Sequence, residues 1–254
     1  MLVIAHLSDI HIGGSDRSVE RADAVLRYLD ALPYDFDAVL VSGDLADHGL
    51  AEEYEQVRKL LTSRHPVLVC PGNHDDRTEF RRVLLGEEPA TGPINRVHRT
   101  AKALYALCDS TIPGKAGGRM DDETLTWLEG VLDGERELPV FVVFHHPPVL
   151  LHSPVDTIML DRPEPLAELV SRHPNVAAVL VGHAHTAAAS TFAGRPLLAA
   201  PGVVSTLKLP WEGATTLDDC ADYALPPGIV FHVLDDTGRL TTHHRVVQAG
   251  PTAG

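Results

Sequence analysis

The chain has 254 residues, of which 44% are hydrophobic, so it can bury a large core and fits one α/β domain with at most a small appendage. Its 35 acidic side chains outnumber its 21 lysines and arginines, which gives a formal net charge of −14. This charge opposes long-range attraction of nucleic acid or of an anionic membrane, although salt screens exposed charges beyond about 8 Å. We therefore expect small-molecule partners rather than polyanions.

The cysteines and the beginning of the chain indicate a reduced, cytoplasmic protein. Cys70, Cys108 and Cys220 are odd in number and far apart, so neither a disulfide framework nor a CxxC metal site is predicted. The first residues lack a basic segment and soon reach Asp9, which argues against a signal peptide. No apolar run approaches the roughly 18 residues of a membrane span, so we expect no membrane insertion.

The first part of the chain predicts strands that alternate with helices. Leu2 to Leu7 is a short apolar run typical of a buried strand, and a helix with one apolar face follows from about Arg17 to Ala31. The same pattern then recurs twice, with strands over residues 37–42 and 66–70 and helices over residues 51–63 and 76–85. These repeated β-α units indicate parallel strands.

The second part of the chain begins in the same way and then changes character. Strands are predicted over residues 103–108, 140–144 and 176–181, helices over 121–132 and 163–172, and a further strand over 96–100. Short strands over 187–192, 197–200, 229–234 and 240–246 are more typical of antiparallel pairs. We interpret 1–254 as a single domain in which residues 201–228 form an irregular cap or loop insertion and residues 247–254 a frayed tail.

Polar side chains that can bind metal follow five of the predicted strands. Asp9 and His11 are two residues apart, so in extended backbone they would point to the same side and could bind one cation. Asp47 is interpreted instead as a helix cap. A buried core histidine could explain any one of these strand ends, but it does not explain all five. The full set is Asp9, His11, Asp44, Asn73 with His74, His145, His183 and His185.

The donor types predict a pair of ions. Carboxylate and amide oxygens with imidazole nitrogens, and without thiolates, suit Mn, Fe, Zn or Co. The seven candidate ligands other than His74 are too many for one catalytic ion and sufficient for two. Two ions about 3.5–4 Å apart need a bridging carboxylate, and Asp44, which follows Gly43 and stands between the other ligands in chain order, is the natural bridge.

These ordered motifs, spread over roughly residues 2 to 204, resemble those of the calcineurin-like metallophosphoesterases. The segments 72–75 (GNHD), 145–148 (HHPP) and the loop from Asp109 to Gly118 resemble the class III cyclic-nucleotide phosphodiesterases and the bacterial glycerophosphodiesterases. The resemblance implies a four-layer αββα sandwich of mixed β-sheets with a dinuclear metal site at the carboxyl ends of the strands. It implies Asp9, His11, Asp44 and His185 on one ion, and Asp44, Asn73, His145 and His183 on the other.

The same resemblance implies hydrolysis of a small phosphodiester by a hydroxide that bridges the metals. It assigns His74 to protonating the leaving oxygen or, with Asn73, to binding the phosphoryl group, and it leaves His146 a supporting residue. A 3′,5′-cyclic nucleotide such as cAMP is the favoured substrate, with a glycerophosphodiester as the alternative. A nuclease is less favoured because no basic stretch interleaved with aromatics is present, and a non-catalytic scaffold because no ligand is lost. The sequence leaves open whether the chain forms a homodimer.

Overall fold

A computed structural model describes residues 1–214 and 216–248. The strands are β1 (Leu2–Leu7), β2 (Ala38–Ser42), β3 (Val67–Cys70), β4 (Arg96–Arg99), β5 (Leu104–Leu107), β6 (Val140–Val143), β7 (Val176–Val181), β8 (Ala188–Phe192), β9 (Arg195–Ala199), β10 (Thr206–Leu207), β11 (Ala221–Asp222), β12 (Gly228–Leu234) and β13 (Leu240–Val246). The helices are α1 (Ser18–Ala31), α2 (Ala51–Leu60), α3 (Arg77–Glu79, continued by a π-helix over Phe80–Leu85), α4 (Asp122–Gly134), α5 (Glu164–Arg172) and α6 (Leu217–Cys220), with 3-10 turns at Pro154–Ile158 and Pro210–Glu212.

Two mixed β-sheets form the centre of the fold. The five-stranded sheet has the order β13-β12-β1-β2-β3, in which β1, β2 and β3 are parallel and β12 and β13 are antiparallel additions. The six-stranded sheet has the order β4-β5-β6-β7-β9-β8, in which the four inner strands are parallel and both edge strands antiparallel. The predicted ligands come directly after the carboxyl ends of the parallel strands.

The buried side chains divide into three apolar clusters that define four layers. One cluster joins the five-stranded sheet to α1, α2 and α3, and another joins the six-stranded sheet to α4 and α5. The third lies between the sheets; β1 contributes Leu2 and Ile4 to it, while Val3 and Ala5 face the helices. A strand that is covered on both faces has a nearly continuous apolar sequence, and the sequence of β1 is of this kind. The predicted αββα sandwich is confirmed.

The pairing of β9 differs from the prediction. We expected the strands over 187–192 and 197–200 to form antiparallel pairs rather than β-α units. They do pair in antiparallel, but β9 also pairs in parallel with β7 and so lies inside the sheet. Burial explains the difference. Leu197, Leu198 and Ala199 are buried, whereas most of β8 is exposed and suits an edge strand.

The segment predicted to be an irregular insertion has a short framework of its own. Residues 201–228, which we call the cap segment, contain β10 paired with β11, the Pro210–Glu212 turn and α6. Val247, the first residue of the predicted tail, is buried, and its N–H donates to the Pro227 carbonyl at 2.9 Å. Residues 249–254 of that tail lie outside the described residues. In the described part of the chain, every helix is too short or too polar to cross a lipid bilayer.

Candidate metal centre

The structure brings all seven predicted ligands together at the carboxyl ends of β1, β2, β3, β6 and β7. Five of them line a cavity of about 260 Å³, namely His11, Asp44, Asn73, His183 and His185. Asp9 and His145 are fully buried next to them. His74 lines the same cavity, so the predicted catalytic residue also lies at this place. The cap segment completes the wall of the cavity.

We expected extended backbone at Asp9 and His11, but the backbone that presents these side chains is not extended. The φ angles of Asp9, His11, Asp44, His183 and His185 are positive, between 42° and 67°. Each strand has ended, and the chain must turn sharply there. Asp and His enter this left-handed region more readily than most residues, and such strain is typical of functional sites. The turn is held by N–H groups of Asp9 and His11 that donate to the carbonyls of Gly43 and Asp44 at 3.1 and 3.0 Å.

The first ligand group consists of Asp9, His11 and His185. One donor atom from each lies within 4.8 Å of the others. The Nε2 atom of His185 is 3.4 Å from Oδ1 of Asp9. The three side chains come from the ends of β1 and β7, in opposite sheet layers, so the site joins the two sheets.

The second ligand group consists of His145 and His183, with the Asn73 amide in the same cavity. The Nε2 atom of His145 is 3.1 Å from Nδ1 of His183, although the other nitrogen of each ring lies beside a carbonyl oxygen to which it donates. In the neutral rings, two lone pairs would therefore face each other. Such a pair needs a shared proton or a cation, and a cation that binds both nitrogens satisfies it.

Asp44 lies between the two groups. Its Oδ2 atom is 3.4 Å from Nε2 of His11 and 3.3 Å from Nε2 of His145. Its Oδ1 atom accepts the backbone N–H of His74 at 2.9 Å, which fixes the orientation of the carboxylate. A β-carbon at Gly72 would collide with this carboxylate, so the close approach of the two loops requires glycine there. The position fits the predicted bridge.

Three buried polar atoms at the site have no hydrogen-bond partner among the described residues. They are Asp9 Oδ1, His11 Nε2 and Asn73 Oδ1. Buried polar atoms are almost always paired, because burial without a partner costs about 1–3 kcal/mol each. All three belong to predicted ligands, and each is an oxygen or an imidazole nitrogen that can bind a metal ion. The residues present therefore fit a metal centre.

The site electrostatics also favour a cation. Burial alone would raise the pKa of Asp44. The neighbouring imidazoles, of which His145 has the largest effect, lower this pKa well below its usual value. Burial opposes protonation of His145, yet the carboxylates of Asp44 and Asp9 raise its pKa to about 9. Burial and the nearby imidazoles of His146 and His145 lower the pKa of His183 well below its usual value. A cation entering the site must displace a proton from His145, so its affinity should fall as the pH falls.

Each ligating imidazole is oriented by a hydrogen bond from its second nitrogen. His145 Nδ1 donates to the Ser42 carbonyl at 2.7 Å, and His183 Nε2 donates to the Ile158 carbonyl at 3.1 Å. His185 Nδ1 bonds the Ser205 hydroxyl at 2.8 Å. Such outer partners fix the tautomer and the ring orientation of a metal-binding histidine. Nothing in the local sequence pattern marked Ser205, which reaches the site only through the tertiary fold.

Asp47 supports His11, and its interpretation as a helix cap was wrong. Its Oδ1 atom accepts from Nδ1 of His11 at 2.7 Å, so it cannot turn toward the start of α2. Glu53 occupies that place instead, with its carboxylate accepting the N–H groups of His48 and Leu50. Its position three residues after Asp44 was the available signal, because a carboxylate so near a ligand in sequence can also reach the site.

His146 lies beside the second group but has no nitrogen left for a cation. Its Nδ1 is 2.8 Å from the Ser110 hydroxyl, and its Nε2 is 3.2 Å from the Ala116 carbonyl. Burial, followed by the charge of His145, lowers the pKa of His146 to about 3. His146 therefore holds the loop from Asp109 to Gly118 in place and remains neutral.

Comparison with known proteins agrees with this geometry. A family model for the calcineurin-like phosphoesterases matches residues 2–187. The chain belongs to the calcineurin-like phosphoesterase family. The resemblance predicted from the strand-end motifs is thereby confirmed. In this calcineurin-like phosphoesterase, the donor set described above fits two divalent ions.

Two curated relatives and one solved structure illustrate the similarity. The glycerophosphodiester phosphodiesterase GpdQ from Enterobacter lignolyticus is 31% identical, over 91% of this chain and 86% of that protein. The cAMP/cGMP dual specificity phosphodiesterase from Mycobacterium tuberculosis is 30% identical, over 82% of this chain and 69% of that protein. A dimetal phosphatase from Danio rerio superposes with a TM-score of 0.72 over 96% of both chains at 13% identity, which supports the fold alone.

The support of His11 by Asp47 can be tested by substitution. Asp47→Ala should weaken the binding of one metal ion by about 10- to 100-fold, because His11 loses the partner that fixes its ring. Metal titration followed by calorimetry would measure this loss, with the exposed Asp16→Ala as a control for charge. Two sites with wild-type affinity in Asp47→Ala would show that His11 does not depend on Asp47.

Proposed function

We propose that the protein is a metal-dependent phosphodiesterase that hydrolyses 3′,5′-cyclic nucleotides such as cAMP. The observation that carries the proposal is one cavity whose lining combines a two-group ligand site, a histidine and an apolar wall that includes an exposed tyrosine. The relatives named as phosphodiesterases support the same reaction class. We also propose that the whole chain is one domain and that it acts in the cytoplasm.

The proposed ligand sets follow the two groups in the structure. Asp9, His11, Asp44 and His185 would hold one ion, and Asp44, Asn73, His145 and His183 the other. Mn, Fe, Zn or Co suits these oxygen and imidazole donors. When bound, a pair of such ions supplies Lewis-acid stabilisation of phosphoryl charge and a nucleophile at neutral pH.

The charge of the cavity supports a diester rather than a monoester. None of the described residues that line it is lysine or arginine. A phosphomonoester carries nearly two negative charges at neutral pH, since its second pKa is about 6, whereas a diester carries one. With no lysine or arginine to offset the second charge, the cavity is better matched to the singly charged diester.

The apolar wall supports a substrate with a flat, apolar face. Leu207, Leu217 and Tyr223 of the cap segment line the cavity, and Tyr223 is 52% exposed. A nucleobase can stack on an aromatic ring, with a free energy of about 1–3 kcal/mol. A glycerol group would gain little there. This contrast is the reason for favouring a cyclic nucleotide.

His74 is the proposed general acid. Its Nδ1 atom is 2.7 Å from the Asp47 carbonyl, which can only accept a hydrogen bond, so Nδ1 must carry a proton. The proton that His74 gains or loses is therefore the one on Nε2. His74 is partly exposed in the cavity, and its backbone N–H is bonded to Asp44 beside the ligands. It can thus deliver a proton to a leaving oxygen, and with Asn73 it would contact the phosphoryl group.

A glycerophosphodiesterase is the second candidate. It is favoured by the 31% identity to the Enterobacter protein over 91% of this chain. A nuclease remains less favoured because the net charge of −14 opposes a nucleic-acid strand, and a scaffold because every predicted ligand lies at the site.

A substrate panel tests the proposed function directly. The Mn-loaded protein should hydrolyse cAMP with a kcat/KM at least about tenfold above that for glycerophosphocholine, the difference expected when only one substrate uses an apolar wall. Phenyl phosphate, a monoester, should be the poorest substrate. A preference for the glycerol diester would replace the cyclic nucleotide by the second candidate, and no hydrolysis of any diester would refute both.

The role of His74 predicts a dependence on the leaving group. His74→Ala should lower kcat on cAMP by ~10²–10⁴-fold, because the ribose oxygen leaves as a strongly basic alkoxide that needs a proton. On bis(p-nitrophenyl) phosphate the loss should be much smaller, because p-nitrophenolate is stable without one.

The control for this comparison is His244→Ala, on the exposed edge strand β13. It should change neither rate, and metal content should be measured in both variants. Equal losses on the two substrates in His74→Ala would mean that His74 stabilises phosphoryl charge instead of donating a proton.

A further inference from the structure

Arg21 of helix α1 is a buried arginine without a direct ion pair among the described residues. Only 2% of the residue is exposed, and the carboxylates of Glu20 and Asp222 favour its charge from beyond ion-pair distance. A buried charge is costly unless it is well hydrogen-bonded, so a chain that retains one here needs the bonds that it makes. Arg21 does not line the substrate cavity, so it has no direct part in the proposed reaction.

All the hydrogen bonds of the guanidinium go to backbone carbonyls of the cap segment. Nε donates to Val203 at 2.7 Å, Nη2 to Leu225 at 2.7 Å and Nη1 to Tyr223 at 3.3 Å. Val203 is near the beginning of the cap segment, whereas Tyr223 and Leu225 are near its end. One planar side chain therefore joins both ends of this segment to the helix layer.

The two ends that Arg21 holds each contribute to the cavity. On one side, Val204 and Ser205 follow Val203 directly and line the cavity, and Ser205 bonds the imidazole of His185. On the other side, Tyr223 is one of the residues that line the apolar wall. The start of the segment has other supports, since the N–H groups of Val203 and Val204 donate to the carbonyls of Ser8 and Asp9. For the carbonyls of Tyr223 and Leu225, the bonds found within residues 1–214 and 216–248 are those from Arg21.

We propose that Arg21 is a positioning residue for substrate specificity, which fixes the apolar wall of the cavity by holding Tyr223 and Leu225 against Val203. Asp222 is held by the pairing of β11 with β10, and Pro227 by the N–H of Val247, so Arg21 fixes the stretch between them, residues 223–225. Loss of Arg21 should therefore loosen this stretch and leave the metal ligands in place. The substrate affected would be the one that uses the wall. This inference rests on the proposed function for the identity of that substrate, but not for the effect on the cap segment.

The first test does not depend on activity. Arg21→Met keeps the length and apolar stem of the side chain but removes its hydrogen-bond donors. Hydrogen exchange followed by mass spectrometry should show faster exchange in residues 223–225 and unchanged exchange in β1 and β2, with two metal ions still bound. Arg17→Met is the matched control, because Arg17 is exposed immediately before the same helix and pairs with Glu20. Unchanged exchange in the cap segment of Arg21→Met would overturn the proposal.

The second test uses kinetics. In Arg21→Met the KM for cAMP should rise by about 10- to 100-fold, the range that follows from misplacing a binding group, while kcat changes far less. Methyl p-nitrophenyl phosphate, which is too small to use the wall, should be affected at least ten times less. Equal losses on both substrates, or a loss of metal, would show a general structural role and refute the proposal.

A double-mutant cycle links Arg21 to the ring that it positions. Tyr223→Ala should also raise the KM for cAMP, and the double variant should be little worse than either single one if both act through the same wall. Independent, multiplying effects would contradict the proposal. Arg21→Lys, which can still reach one carbonyl, should give an intermediate KM, and it serves if Arg21→Met does not fold. If the wild-type protein does not hydrolyse cAMP, the proposed function fails while the exchange experiment still decides the role of Arg21.

Discussion

The carboxylate of Asp44 is the constraint on which the site depends. It lies 3.4 Å from an imidazole of the β1 loop and 3.3 Å from one of the β6 loop, so it connects ligands that belong to different sheets. Two buried imidazoles and a buried carboxylate at these distances are costly unless protons or cations compensate them. A pair of divalent ions does so, and the unpartnered oxygen of Asp9 and nitrogen of His11 fit the same explanation.

The fold converts this local requirement into a rigid site. Each imidazole has one nitrogen fixed by a carbonyl, a carboxylate or a hydroxyl, and these supports come from separate parts of the chain. The Ser42 residue shows how far the connection extends: its carbonyl orients His145, and its hydroxyl is 2.8 Å from Nε2 of His6, a buried residue of β1. Placing the ligands on turns between rigid strands gives the precision that metal-assisted chemistry needs.

Much of this could be predicted from the sequence because the ligands follow short, continuous apolar strands. A carboxylate or histidine just after such a strand must lie at the edge of the sheet, as Asp44 and His145 do. Supports that come from distant segments could not be predicted in this way. Asp47 was wrongly interpreted as a helix cap, because a carboxylate that caps a helix and one that orients a ligand histidine look alike in sequence. Arg21 resembled any helix residue, since its three acceptors are backbone carbonyls about 180–200 residues away.

Anomalous diffraction from crystals of the Mn-loaded protein would test the bridging role of Asp44 most directly. We predict two peaks about 3.5–4 Å apart, with the Asp44 carboxylate touching both. His11 and His185 should contact only the first, and His145 and His183 only the second. A single peak, or two peaks of which only one contacts Asp44, would contradict the bridging role on which the proposed chemistry depends.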